Sequence, residues 1–393
     1  MEVDPIHFDN TEVAFSYKSD RELKKANFIF SLVNNPIVSS VATGLAKISL
    51  ALHLPIKSII RSTVFEHFCG GETVEDSEHT IQTLFKHKVG TILDYSVEGT
   101  ETEEALDHTC EEILHTFEKA KGNPAIPFCV FKPTGISPFH LLEKVQAKEA
   151  LTEAEKTAWQ HVHDRFDKIC KKAFDYQVPI LIDAEDSWIQ NPIDDLVTEM
   201  MRKYNQQRAI VFNTYQMYRA EMLGNLRNAH HDAAMHNYFL GVKMVRGAYM
   251  EKERERAEKM GYPSPIHPDK EATDNAFNQA LSFCLDSKQR ISLLCGSHNE
   301  YSNQYLTVLM EKHGLKKNDN RIWFAQLLGM SDNISFMLAK EGYNVAKYVP
   351  YGPVESVMPY LLRRASENTS VAGQSSRELT FIRKELKRRT AKK

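Results

Sequence analysis

The chain has 393 residues, 42% hydrophobic and 26% charged, with a formal net charge of −3. That is enough apolar material for one large domain with an extension, or for two domains. The near balance of charge excludes the basic surface that a DNA or RNA partner needs, so no nucleic-acid partner is expected.

The chain opens on MEVDPIHFDNTE, which is acidic and polar and resembles neither a signal peptide nor an Arg-rich transit peptide. Residues 28–60 are strongly apolar, but Asn34, Asn35, Pro36, Lys47, His53, Pro55 and Lys57 interrupt them. No stretch reaches the roughly 20 residues of a membrane-spanning helix. Packed amphipathic helices are the expectation, with peripheral membrane contact as the alternative. Residues 1–89 therefore form an N-terminal helical arm. Cys69, Cys110, Cys129, Cys170, Cys284 and Cys295 form no CxxC pair and read as reduced core thiols, neither a disulfide frame nor a zinc site. A cytoplasmic location follows, with attachment to the inner face of a membrane as the variant.

From residue 90 onward, short β-rich runs recur: 90–97, 128–136, 179–185, 209–215, 241–249, 291–297, 322–328 and 344–352. Helical patterns lie between them. One runs from Thr152 to Phe174, with a Thr152–Glu155 capping box and Trp159, Val162, Phe166 and Ile169 on one side. A second opens at Asn191–Pro192 with Asp194 and Asp195 in its first turn, and a third spans about 215–236. Parallel strands need crossover helices, and strands buried on both faces read as continuous apolar runs. Eight such units predict an α/β fold, a closed (β/α)8 TIM-like barrel over 90–375. A doubly wound sheet usually advertises GxGxxG, which is absent, as is the P-loop pattern.

The segment PVESVMPYLLRRASENTS, 353–370, predicts a last helix. It places Tyr360, Arg363, Arg364 and Glu367 on one face and Met358, Leu361, Leu362 and Ala365 on the other. The arginine pair is either a solvated face of Arg–Glu pairs or a clamp for a carboxylate or phosphate. The tail 376–393 is basic and reads as a solvated or disordered end.

In such barrels, function gathers where strands end. The polar residues there are Asp94, Glu98, Lys132, Asp183, Glu185, Asn213, Lys243, Arg246, Ser297, His298, Gln326 and Tyr348. The excess of cations favours anionic ligands and moves the arginine pair towards a clamp. Gly247 either lets backbone approach a ligand or serves only a turn. His230, His231 and His236 lack a third ligand at suitable spacing, so no metal site is expected. The usual nucleophile motifs are absent too, which leaves redox chemistry on an organic cofactor.

At these residues the chain resembles the proline dehydrogenase family, flavin-dependent oxidoreductases. The motifs, in order, are LIDAE, FNTYQ, KMVRGAY, GSHN, QLLGM, KYVPYG and PYLLRRASEN, across about 88–370. The resemblance implies a distorted barrel with the last helix across its top. It implies that Arg363, Arg364 and Lys132 hold the proline carboxylate, that Tyr348, Tyr360 and Leu327 pack around the ring, and that Asp183 orients the cations. Glu98 would be the gate partner of Arg363. FAD would bind noncovalently, with Asn213 at the flavin edge and Lys243 near N5. Val245, Arg246, Gly247, Ala248 and Tyr249 would follow the cofactor, and Ser297, His298 and Glu367 would contact its ribityl and nucleotide part. One branch of the family has arginine, glutamine and tryptophan where this chain has Lys243, Asn213 and Met250. The implied activity is oxidation of L-proline to Δ1-pyrroline-5-carboxylate, the first step of proline catabolism. A membrane quinone would be the electron acceptor, and a separate pyrroline-5-carboxylate dehydrogenase would act downstream. The alternatives are a hydroxyproline dehydrogenase, disfavoured by the bulk of Tyr348, a metal-dependent barrel hydrolase, and a non-catalytic binding protein.

Overall fold

The structure, a computed structural model, describes residues 6–33, 61–97, 101–361 and 374–392. All eight expected strands are present: β1 Val89–Tyr95, β2 Phe128–Phe131, β3 Ile180–Ile182, β4 Val211–Gln216, β5 Leu240–Val245, β6 Ile291–Gly296, β7 Ile322–Leu327 and β8 Val345–Tyr351. They follow one another in chain order around a closed barrel, and every pairing resolved is parallel. β2, β3, β4 and β8 are buried at every position, as continuous apolar runs require.

Several expected elements are shorter in the structure, for local reasons. The run at 128–136 leaves strand geometry after Phe131, because Pro133 opens a 3-10 turn over Pro133–Gly135. The helix expected over about 215–236 is Met222–Met235, since Tyr215 and Gln216 belong to β4. The Asn191–Pro192 start lies two residues too late. That helix is Gln190–Tyr204 with Ile189 at its N-cap and no side-chain cap. The Thr152–Glu155 capping box forms as read and opens the helix Glu153–Tyr176.

Contacts divide the chain into two units, one built on Gly99–Ala325 and one on Ile6–Glu98 with Gln326–Lys393. In the first, the helices Glu103–Ala120 and Glu153–Tyr176 pack through apolar faces and a buried Arg165. Its guanidinium donates to Asp107 at 2.8 Å, to the Ile136 carbonyl at 3.4 Å, and to Glu103. In the second, the helices Asp20–Val33 and Gln374–Ala391 share a core with the 354–361 helix, including Leu23, Phe30, Met358, Tyr360, Leu361 and Ile382.

Two expectations change here. The basic tail is a packed helix, because Leu379, Phe381 and Ile382 make one side of it apolar and buried. Arg389 anchors it by donating to the carbonyls of Phe15 and Lys18, each at 2.8 Å. The 354–361 helix is not split into a polar Tyr360 face and an apolar Met358–Leu361 face. All three are buried in one cluster, and its exposed positions are Glu355 and Pro359. Residues 34–60, 98–100 and 362–373 lie outside the described residues, and with them most of the apolar 28–60 stretch. No helix among the described residues is long and apolar enough to cross a membrane.

The six cysteines are free and buried. Burial pushes the Cys110 thiol up to about 11 and that of Cys129 up to about 12.

Candidate functional site

In the first unit, two consecutive strand ends and one strand interior bring charge together. Lys132 is the first residue past β2. Asp183 is the first past β3, and its amide donates to the Phe131 carbonyl at 3.0 Å. Lys243 lies within β5. Its Nζ donates to Oδ1 of Asp183 at 2.5 Å, and the Lys132 Nζ lies 4.0 Å from Oδ2. One carboxylate thus orients two ammonium groups and gathers positive charge at this end of the barrel.

Glu185 stiffens this group. Its buried Oε1 accepts from the Thr134 hydroxyl at 2.6 Å and the Thr134 amide at 3.2 Å, which ties the turn after Lys132 to the segment after Asp183. The Glu185 backbone is held at both ends, by Gln190 and by Gln216, each at 2.7 Å. Burial, against the opposing pull of the Thr134 hydrogen bonds, raises the Glu185 carboxyl to about 7.

Arg246, just past β5, is fully occupied. It donates to Asp274 at 2.7 Å and to the Ser297 and Ser302 hydroxyls at 2.9 Å each, with its guanidinium 4.3 Å from the Phe277 ring centroid. It joins the end of β5 to Ser297, just past β6, and so frames an exposed stretch at Gly247 and Ala248. Val245, Tyr249 and His298 are half-buried beside this stretch in sequence. Gly247 has φ +128°, and a Cβ there would lie 2.5 Å from the Tyr218 ring. The glycine is required by close packing on Tyr218, which leaves the backbone of 247–248 facing outward. A cationic strand interior next to exposed backbone amides fits a ligand with a planar ring edge and a phosphate, which is the chemistry of FAD.

Asn213 is placed differently. Register pairs Thr214 with Lys243, so Asn213 points to the opposite face of β4. Its amide donates to Asp194 at 2.8 Å, and it borders a cavity of about 510 Å³ with Asn225 and His231 on the helical side of the sheet. Burial raises the Asp194 carboxyl, with Asn213 and Gln190 opposing. Alternation within FNTYQ carries the signal that assigns Thr214, rather than Asn213, to the Lys243 face. Asp274, Ser302 and Phe277, the partners of Arg246, were missed because nothing local to their two helices marks them. The one clue is that a buried arginine demands an acid.

In the second unit, Tyr348 in β8 and Tyr360 are buried, and Leu327 at the end of β7 packs against the cluster that contains Tyr360. Glu98, Arg363, Arg364 and Glu367 lie outside the described residues. Among the described residues, no three His, Cys, Asp or Glu side chains are grouped to hold a metal ion.

Comparison with known proteins gives a consistent picture. The family model described as proline dehydrogenase matches residues 77–377. Mitochondrial proline dehydrogenase 1 of Dictyostelium discoideum is 34% identical over 385 residues, covering 86% of this chain and 67% of that protein. The carbapenem antibiotics biosynthesis protein CarD of Pectobacterium carotovorum subsp. carotovorum is 33% identical over 332 residues, covering 84% and 85%. Among solved structures, proline utilization A from Bdellovibrio bacteriovorus, inactivated by N-propargylglycine, superposes with a TM-score of 0.73 at 18% identity. That match covers 92% of this chain but only 38% of the larger protein, and at this identity it supports the fold alone. The match of the family model to most of the chain, together with these relatives, places the chain in the proline dehydrogenase family.

Proposed function

We propose that this chain is an FAD-dependent proline dehydrogenase that oxidises L-proline to Δ1-pyrroline-5-carboxylate. Membership of the family supports an oxidoreductase acting in the first step of proline catabolism. The observation that carries the finer reading is the Lys132–Asp183–Lys243 group at the strand ends. It offers two oriented cations to a small anionic substrate and an electron-accepting cofactor.

Bound FAD supplies the two-electron acceptor that the protein's own side chains lack. Lys243, the exposed backbone at Gly247 and Ala248, and Ser297 with His298 would hold it. Lys243 carries positive charge in a largely buried setting, where an ammonium stabilises negative charge more strongly than in water. Lys132 would take the substrate carboxylate, and Asp183 would fix the direction of its ammonium. Arg363 and Arg364 would hold the same carboxylate, with Glu98 closing on Arg363. Tyr348, Tyr360 and Leu327 would form the wall for the pyrrolidine ring, an apolar surface that orients the C–H bond to be broken. The substrate amine loses its proton to water. Electrons would pass to a membrane quinone at a peripheral contact, and a separate pyrroline-5-carboxylate dehydrogenase would take the product.

The purified protein is expected to be yellow and to bleach anaerobically with L-proline. A colourless protein, or one that L-proline leaves yellow, overturns this reading. Arg363→Met and Arg364→Met are each expected to weaken proline binding at least tenfold with flavin retained. Unchanged proline affinity in both removes the clamp. A second reading, a biosynthetic rather than catabolic role, is supported by the CarD relative, whose coverage is high in both directions. Disruption of the gene separates them: loss of growth on proline favours catabolism, and loss of a secondary metabolite favours biosynthesis.

A further inference from the structure

The second unit contains a buried charge group that the proposed chemistry does not use. Lys347 in β8 and Asp332 form an ion pair at 2.9 Å with side chains 0% and 1% exposed. Lys347 also donates to the carbonyls of Leu327 at 3.3 Å and Met330 at 2.5 Å. Asp332 accepts from the Tyr17 hydroxyl at 2.7 Å and lies 3.7 Å from the Lys18 ammonium.

These bonds converge on the turn Leu327–Ser331. Three peptides of that turn are held from outside it. The Leu327 carbonyl accepts from Lys347, and the Leu328 amide donates to the Tyr348 carbonyl at 2.8 Å. The Gly329 carbonyl accepts from the His67 ring at 3.1 Å, the Met330 carbonyl from Lys347, and the Ser331 amide donates to Glu378 at 3.1 Å. Burial pushes the pKa of His67 down to about 3, so its neutral ring presents Nε2–H to that carbonyl. Gly329 has φ +76°, and Ser331, which is not glycine, has φ +50°. A left-handed serine is strained and persists only where its surroundings over-determine it.

We propose that the Lys347–Asp332 pair, with Glu378, is a positioning device that fixes Leu327 and Tyr348 as one wall. Lys347 precedes Tyr348 in the same strand and binds the Leu327 carbonyl directly, so a single ammonium sets the spacing of both. A buried ion pair is a poor source of stability compared with apolar packing of equal volume. Its value here is geometric: directional bonds to two carbonyls that an apolar side chain cannot reproduce. Through Tyr17 and Glu378, the N-terminal arm and the C-terminal helix become supports of that wall. Lys347, Asp332 and Glu378 are thus positioning residues, and the inference rests on Leu327 and Tyr348 bordering the proline ring.

The test uses the full-length holoenzyme and two kinds of variant. Lys347→Met with Asp332→Asn removes both charges together, so neither is left buried alone. Glu378→Gln keeps an acceptor for the Ser331 amide, whereas Glu378→Ala removes it. With flavin content unchanged, the double variant is expected to raise KM for L-proline about tenfold while kcat falls less than threefold. Its preference for L-proline over trans-4-hydroxy-L-proline should narrow by a similar factor, a readout that general destabilisation does not move. Glu378→Ala should shift in the same direction, and Glu378→Gln should restore wild-type values. Unaltered KM and preference in a folded double variant, or identical behaviour of the two Glu378 variants, overturns the inference. If the double variant does not fold, the Glu378 pair decides. A wild-type protein inactive on both substrates overturns the underlying functional reading, and this inference with it.

Discussion

Lys243 with Asp183 in one unit, and Lys347 with Asp332 in the other, are the same chemical pair in two settings. The first keeps 7% and 18% side-chain exposure, and the second 0% and 1%. In the first, the carboxylate is shared by a second lysine. In the second, two backbone carbonyls, a tyrosine hydroxyl and a further lysine surround the ions. Partial exposure at the strand ends suits a pair that meets a ligand. Complete internal use suits a pair that holds backbone. Residue type alone does not separate these roles; the neighbours do.

The sharpest way to break the comparison is to remove one partner from each pair. Asp332→Ala strands Lys347 in the interior and is expected to cost about 3–5 kcal/mol of stability, read by denaturant unfolding. A loss under about 1 kcal/mol would show that water reaches the site and that the two pairs are alike. Asp183→Asn is expected to lower kcat/KM for L-proline at least a hundredfold, about 3 kcal/mol, with a small change in melting temperature. If Asp183→Asn is instead mainly a stability defect, both pairs are structural. Gly247→Ala, which drives a methyl group onto Tyr218 at positive φ, should cost about 1–3 kcal/mol and reduce flavin content.

The smallest effect concerns pH, because each unit also holds one raised carboxyl. Burial places Glu185 and Glu378 each at about 7, with the Asp332 charge adding to the effect at Glu378. Both folded-state values lie above the ordinary carboxylate range, so the folded protein binds more protons than the unfolded chain between about pH 4.5 and 7. Their contribution to stability is therefore full at the acid end of that window and falls as pH rises through it. Glu378 faces Asp332, Lys347 and Lys18, whose charges modulate the amplitude. Melting temperatures across the window should decline less steeply in Glu185→Gln and in Glu378→Gln than in the wild type. Parallel curves would show that neither group titrates there.

The barrel was legible in the sequence because strands buried on both faces leave an unbroken apolar signature, and eight of them at regular spacing admit few arrangements. Strand ends were less legible. A run such as FCVFKPTGI continues to look β-like after Pro133 has already turned the chain. The Lys132, Asp183 and Lys243 cluster was visible as charge at strand ends, yet Asn213 was assigned by motif where strand alternation gives the opposite face. Tyr360 was read as part of a polar face because helical periodicity assumes one wet side, and this helix has little of one. The Lys347 network was illegible for a simpler reason. Tyr17, Asp332, Lys347 and Glu378 lie up to several hundred residues apart, and no local pattern announces a buried lysine.

The seating of Arg389 on the carbonyls of Phe15 and Lys18 carries a consequence for synthesis. The helices Asp20–Val33 and Gln374–Ala391 are far apart in the sequence, so their shared core closes only once both have been made. Until then Leu23, Ile29 and Phe30 present an oily stripe to solvent. Chains of this protein are therefore expected to engage holding chaperones until that core closes.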